Sequence, residues 1–193
     1  MARIGLKGLT YAKVTGGGDG SAMQYTGGVA KTGLMRRAEV TVEREDVSQY
    51  GDDVRQEHAN GVTGTNIALE LTRADDAMKA DLLGYVAGSG TSGELTVVDA
   101  ESPYVGFGYI TSEVANGAKS FVGYWHYKVQ FGMDADSAET KGENTAFQSV
   151  NLTGKGMGVQ LSSGAASAFY ITKSASTEAA IRTWLNGLAG ISG

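Results

Sequence analysis

The sequence contains no cysteine, one proline and two histidines among its 193 residues. The absence of cysteine excludes disulfides, thiolate metal sites and cysteine nucleophiles. The near absence of proline excludes proline-rich disorder, and 29 glycines fit short strands that are joined by tight turns. No apolar run approaches the roughly 20 residues needed to span a bilayer, and we expect no secretory signal at the start. A chain of this length suits one domain.

Charge and motifs give no sign of catalysis. The balance of 21 acidic to 16 basic residues argues against a dedicated nucleic-acid binder. His58 and His126 are both predicted to be surface histidines, because no motif places a second ligand beside either one. The glycine run from Thr15 to Gly20 lacks the lysine and hydroxyl of a phosphate loop and predicts a flexible loop. Residues 134 to 139 lack the spacing of an EF-hand. We therefore predict no catalytic residue, metal or cofactor.

The strongest strand signal runs from Pro103 to Phe131. Asn116 and Gly117 tolerate positive φ and predict a two-residue turn between two antiparallel strands. That turn would pair Tyr109 with Tyr124, Phe107 with His126 and Val105 with Lys128. The predicted core face comprises Ile110, Trp125, Tyr127, Val129 and Phe131. The predicted outward face comprises Val122, Tyr124, His126, Lys128 and Gln130.

A second hairpin is predicted from residue 34 to residue 71. Its first strand alternates between a less polar side (Leu34, Arg36, Ala38, Val40, Val42) and a polar side (Met35, Arg37, Glu39, Thr41, Glu43), which is typical of a half-buried strand. Its return strand runs from Val62 to Leu71. The polar tip between them, from Glu45 to Gly61, is too long for a mere connection. Such a tip either binds a partner or is a solvated mobile loop.

Two helices are predicted. Thr72 to Leu83 begins with a capping pattern and ends before Gly84, which favours left-handed geometry. Thr177 to Leu188 places its apolar residues on one face, but a helix that short needs support. It must dock on its own subunit, dock on a neighbour or remain unformed. With further strands at residues 4 to 14, 94 to 99 and 146 to 153, these patterns indicate a mainly β domain.

Several motifs, in order, resemble those of the major tail proteins, or tail tube proteins, of non-contractile-tailed phages and prophages of Gram-positive bacteria. They are the opening Ala2 to Val14, Ala80 to Gly84, Pro103 to Gly108, Trp125 to Gly132, and Thr140 to Glu143 with Phe147 and Gln148. Together they cover residues 2 to about 155. Residues 157 to 193 match no motif of that family.

The resemblance implies a mainly β fold, a β-sandwich or flattened barrel, with a flanking helix, a long hairpin and terminal arms. The extent of the resemblance and the change in composition after it predict a tail-tube β-domain at residues 1 to 160 and a C-terminal tail with a short helix at residues 161 to 193. Such subunits form stacked, commonly hexameric rings that enclose a tape-measure protein and meet tail terminator and initiator proteins. Phage DNA later passes through the tube without specific binding. The implied location is the virion tail, assembled in the host bacterial cytoplasm without a membrane partner.

Three groups of residues are candidates for roles in such a subunit. The tip supplies a candidate inter-ring or inter-subunit loop: Ser48, Gln49, Tyr50, Gly51, Asp52, Asp53, Val54 and Arg55. The polar side of the second hairpin supplies candidates for the tube lumen: Glu39, Glu43 and Glu70. The outward face of the first hairpin supplies a candidate subunit edge: Tyr109, Tyr124, His126 and Lys128.

Two other functional classes stay open. A monomeric β-sandwich that binds carbohydrate or protein could use exposed Tyr109 and Tyr124 as a stacking platform. A hydrolase with an unrecognised carboxylate site is the third alternative.

Overall fold

The computed structural model describes residues 2–51, 54–88, 94–98, 101–115, 117–133 and 149–191. These residues form a mainly β fold with two helices, as the sequence predicts. The elements are β1 (Ala2–Gly16), β2 (Gln24–Lys31), β3 (Met35–Gly51), β4 (Val54–Leu71), α1 (Asp76–Leu83), β5 (Val86–Ala87), β6 (Leu95–Thr96), β7 (Tyr104–Ala115), β8 (Ala118–Gly132), β9 (Val150–Gly156), β10 (Tyr170–Ala175) and α2 (Glu178–Leu188). Neither helix is long and apolar enough to cross a membrane.

Eight of the strands form one antiparallel sheet in the order β2-β1-β7-β8-β9-β4-β3, with β10 paired to β8. Strand β8 pairs with β7 along one side. Along its other side it pairs with β10 in its first half and with β9 in its second half. The β7–β8 hairpin therefore lies inside the sheet and not at one of its ends, whereas its predicted contact with a neighbouring subunit stays a prediction. The terminal strands of the sheet path are β2 and β3.

A β-bulge in β8 divides that strand between two cores. Tyr109 pairs with Tyr124 and Phe107 with His126, as predicted, but Val105 pairs with Val129 instead of Lys128. One extra residue of β8 is thus inserted between His126 and Val129, and such an insertion reverses the alternation of side chains. Trp125 consequently belongs to one core, whereas Val129 and Phe131 belong to the other. The predicted single core face is wrong for this reason.

The first core lies between the two halves of the sheet and is covered at one end by α1. Its buried side chains include Leu9, Tyr11, Ile67, Leu69, Leu71, Phe107, Val129 and Phe131, with Met78 and Leu82 from α1. Helix α1 begins after Asp75, whose side chain accepts a hydrogen bond from the Met78 backbone at 2.8 Å. The predicted start at Thr72 is therefore three residues early. The predicted left-handed end is confirmed, since Gly84 has φ 75°.

The second core lies on the opposite side of β7 and β8 and is covered by α2. Trp125 and Ile110 pack there with Ile181 and Leu185 of α2. A Cβ atom at Gly123 would lie 2.5 Å from Ile181 Cγ2, so only glycine allows the helix to approach β8 this closely. Thr177 caps α2 by accepting a hydrogen bond from the Ala180 backbone. The helix therefore docks on its own chain, which selects one of the three predicted outcomes.

Two segments are more ordered than their composition indicates. Residues 161 to 176 are small and polar, yet they include β10, which pairs with β8 from Tyr170 to Ala175. The glycine run after β1 is predicted to be a flexible loop, but it is hydrogen-bonded to a distant segment. The Gly20 backbone donates to Gln160 O at 2.9 Å, and the Gln160 backbone donates to Gly18 O at 2.8 Å. Both segments gain order from long-range pairing, which composition does not reveal.

Candidate functional site

Strands β3 and β4 form a long two-stranded arm. Strand β9 pairs with β4 only from Thr65 to Leu71, whereas β3 and β4 continue to pair with each other as far as Gly51 and Val54. We call residues 45–61 the arm. Its seven register pairs, at about 3.3 Å per residue, extend about 23 Å. An isolated two-stranded hairpin is at best marginally stable in water, so contact with a partner would stabilise the arm.

The predicted tip residues lie at the end of this arm. Ser48 faces His58 and Gln49 faces Glu57 in the ladder, which ends with Tyr50 opposite Arg55 and Gly51 opposite Val54. Asp52 and Asp53 lie outside the described residues. The sequence predicts a polar tip between two strands. The structure shows instead that the strands themselves extend through most of that segment.

The three predicted lumen carboxylates share one face of β3 and β4. Glu39 lies opposite Ala68, Glu43 opposite Gly64, and Glu70 opposite Arg37 in the antiparallel register. Each has a partner in its own chain. Arg37 Nη2 lies 2.6 Å from Glu39 Oε2, and Arg36 Nη1 lies 3.1 Å from Glu70 Oε1. Glu43 Oε1 accepts a hydrogen bond from Asn66 Nδ2 at 2.7 Å.

The same face continues across β9 and β8 as an open groove of about 670 Å³. Among its described lining residues, Glu39 and Lys155 carry charge, and the others include Thr41, Asn66 and Gln130. No cluster of three or more His, Cys, Asp or Glu in the described part of the chain is placed to hold a metal ion. The groove thus presents hydrogen-bonding side chains from four strands of the sheet.

The aromatic residues of the β7–β8 hairpin are mostly buried. His126 is 1% exposed and Tyr109 is 6% exposed, so the prediction that they face outward is wrong. The His126 ring lies 5.9 Å from Phe107 and 5.2 Å from Tyr170, between centroids. Tyr109 and Tyr124 stack on each other at 4.9 Å and 12°. They therefore do not form the predicted exposed platform for a sugar.

The burial has a clear structural cause. Strand β3 folds over this face of the hairpin, and β10 brings Tyr170 beside His126. Neither contact can be predicted from the sequence of the hairpin, because β3 and β10 are distant from it in the chain. Lys128, the fourth predicted residue, is partly exposed, and its Nζ lies 4.3 Å from the centre of the Tyr104 ring. The structure thus brings together Tyr109, Tyr124 and His126, and it adds Arg3 and Tyr170, for which the sequence gives no local signal.

His126 has an unusual electrostatic environment. Burial lowers its pKa to about 4, so the imidazole is neutral near pH 7. Within the part of the chain that the structure describes, neither Nδ1 nor Nε2 has a hydrogen-bond partner. Burial also raises the pKa of the Tyr109 hydroxyl. Nearby, Arg3 Nη2 donates to the Tyr124 hydroxyl at 2.5 Å, and Arg3 Nε lies 3.3 Å from Glu113 Oε1.

Comparison of the chain with protein-family models and with curated protein sequences found no match. The resemblance to tail tube proteins therefore stays a prediction from motifs. Four of those motifs lie in β1, at the end of α1, in β7 and in β8. The motif of residues 140 to 143, with Phe147 and Gln148, lies outside the described residues.

Proposed function

We propose that the protein is a structural subunit of a phage tail tube, which assembles as stacked, hexameric rings and forms a conduit for DNA. The observation that carries this proposal is the arm. About 23 Å of two-stranded ladder leaves the sheet without a third strand beside it in the described residues. An arm of this kind gains stability when it lies against another subunit. The motif resemblance supplies the identity of that assembly.

The sheet also provides surfaces for lateral contacts. Its terminal strands, β2 and β3, present backbone groups that a neighbouring strand can pair with. Such a contact is heterologous, because it joins two different surfaces of neighbouring subunits. When it is repeated, the subunits form a closed ring if the rotation between neighbours adds up to a full turn. We propose no enzymatic activity and no cofactor. The partners are other copies of the chain, a tape-measure protein, tail terminator and initiator proteins, and DNA in transit within the virion tail.

In this proposal the face of Glu39, Glu43 and Glu70 lines the lumen. DNA carries about one negative charge per 1.7 Å of its axis, so a wall of like charge keeps contacts weak and lets the DNA slide. The pairing of Glu39 with Arg37 and of Glu70 with Arg36 reduces the net charge of this face. Glu43, whose partner is the neutral Asn66, contributes most of the remaining negative charge.

The purified protein is expected to assemble into rings or tubes as its concentration rises. Sedimentation velocity combined with negative-stain electron microscopy measures this directly. Discrete oligomers with a central hole would support the proposal. A protein that stays monomeric up to about millimolar concentration, at low and at high salt, would contradict it, because assembly is the whole activity of a tube subunit.

Shortening the arm is expected to block stacking while the subunit stays folded. Replacement of Gln49–Glu57 by Asn-Gly keeps Ser48 opposite His58 and closes the hairpin with a two-residue turn. Since the core side chains that the structure describes lie on other segments of the chain, we expect the melting temperature to change by only a few degrees. A matched control is Asn151→Ala, an exposed position on β9. Tubes of normal length from the shortened variant would show that the arm is dispensable.

A further inference from the structure

A cavity of about 240 Å³ lies between β3 and the aromatic side chains of the central hairpin. One wall is apolar and consists of Ala38, Val40 and Val42. The opposite wall is aromatic and polar, and it consists of Tyr109, Tyr124, His126 and Tyr170. Arg3 is the one charged residue among the described residues that line it. The cavity thus combines an apolar side, several ring faces and a single cation.

The unpartnered nitrogens of His126 indicate that the cavity holds a polar group. A buried donor or acceptor that lacks a hydrogen bond costs about 1–3 kcal/mol, and native proteins satisfy nearly all such groups. His126 lines the cavity and is 1% exposed, yet both of its ring nitrogens lack a hydrogen-bond partner among the described residues. Both nitrogens are shielded from solvent, so a group that enters the cavity supplies that partner when the imidazole turns toward it. Neutral imidazole presents one N–H donor and one acceptor to it.

Arg3 determines the charge of that group. Its guanidinium already donates to the Tyr124 hydroxyl through Nη2 and pairs with Glu113 through Nε. Arginine presents five N–H donors in a planar fork, which suits a carboxylate. No carboxylate is among the residues that line the cavity in the described part of the chain. An anionic ligand is therefore favoured over a cationic one.

The volume sets the size of the ligand. An engineered apolar cavity of about 150 Å³ in another protein binds benzene. A cavity of about 240 Å³ has room for such a ring together with a carboxylate. We propose that this cavity binds a small aromatic carboxylate of about the size of benzoate. Its carboxylate lies between Arg3 and His126, and its ring lies between the β3 side chains and the tyrosines.

Titration with benzoate tests the proposal, followed by calorimetry and by the ¹⁵N chemical shifts of the histidine rings. We expect saturable binding in the millimolar range or tighter, with the His126 signal shifting in proportion to occupancy. Benzyl alcohol, which has the ring without the charge, should bind at least about tenfold more weakly. Equal affinity for the two compounds would show an unspecific apolar cavity and would overturn the proposal.

Substitutions identify the side chain that binds the carboxylate of the ligand. Arg3→Gln should weaken benzoate binding at least about tenfold and leave benzyl alcohol binding unchanged, because it removes the cation and not the walls. Lys7→Gln on the same strand is the matched control, since Lys7 pairs with Glu178 outside the cavity. Absence of heat and of any His126 shift at saturating benzoate would refute the site. So would binding that is unaffected by Arg3→Gln. Neither measurement depends on ring assembly, so the cavity and the proposed tube function are tested separately.

Discussion

Deletion of residues 170–193 is expected to unfold the protein. The deletion removes β10 and α2, and with them Ile181 and Leu185, which are almost fully buried in the second core. Complete burial of a large apolar side chain contributes roughly 1.5–3 kcal/mol, so these two alone account for roughly 3–6 kcal/mol. The deletion also exposes Trp125 and Ile110. A typical domain is stable by only about 5–15 kcal/mol, so most of that stability is lost.

Far-UV circular dichroism with thermal melting measures this effect. Ile181→Ala in the complete chain is a milder variant and should lose about 2–5 kcal/mol in urea unfolding. Ser174→Ala is its control, because Ser174 is exposed on β10. If the deleted protein still melts cooperatively near the temperature of the complete chain, residues 170–193 are an independent appendage. That would support the sequence-based division at residue 160.

Acid is expected to destabilise the protein through His126 before it affects the carboxylates. The pKa of His126 is lowered from 6.5 to about 4 in the folded state. Above pH 6.5 the His126 imidazole is neutral in both the folded and the unfolded chain. Below it the unfolded chain takes up a proton that the folded chain refuses, so the stability falls until about pH 4. At about 1.4 kcal/mol per pH unit, the total loss is about 3 kcal/mol.

Urea unfolding between pH 7 and pH 5 isolates this contribution. The pKa values of Asp75 and Glu178 are lowered by hydrogen bonds from Lys31 and Lys7, so their contributions are lost only at lower pH. His126→Phe keeps the ring contacts and removes the proton-binding nitrogens, and it should flatten the slope. A His126→Phe slope equal to that of the natural chain would assign the pH dependence to other groups.

The parts of the fold that the sequence predicts well are those determined by local chemistry. Gly84 and Thr177 mark helix ends because glycine tolerates positive φ and threonine accepts a capping bond. The pairing of Tyr109 with Tyr124 follows from the Asn-Gly turn. The alternation of β3 is visible because one face is half-buried and the other meets water. Each of these sequence signals lies within a few residues of the structural feature that it predicts.

The parts that the sequence does not predict depend on distant segments. The bulge after His126 moves Val129 to the other face, and no turn residue marks it. Strand β10 forms from mostly exposed residues, Tyr170 and Ile171 among them, because β8 offers it an open edge. His126 is buried by β3 and β10, so its neighbours in the sequence do not show its environment. The length of the polar tip predicts an extended segment, but its composition does not predict that its two sides pair as strands.

The shared position of β8 between two cores also determines when the chain can finish folding. The β7–β8 hairpin is local and can form soon after its residues leave the ribosome. The two faces of the hairpin cannot be covered so early. Strand β1 pairs with β7 across about a hundred residues, and α2 is the last of the described elements to be synthesised. Folding that depends on such distant contacts is slow and leaves apolar surface exposed meanwhile. A nascent chain therefore presents Trp125 and Ile110 uncovered until α2 emerges, so we expect it to require chaperone protection before it can meet other copies.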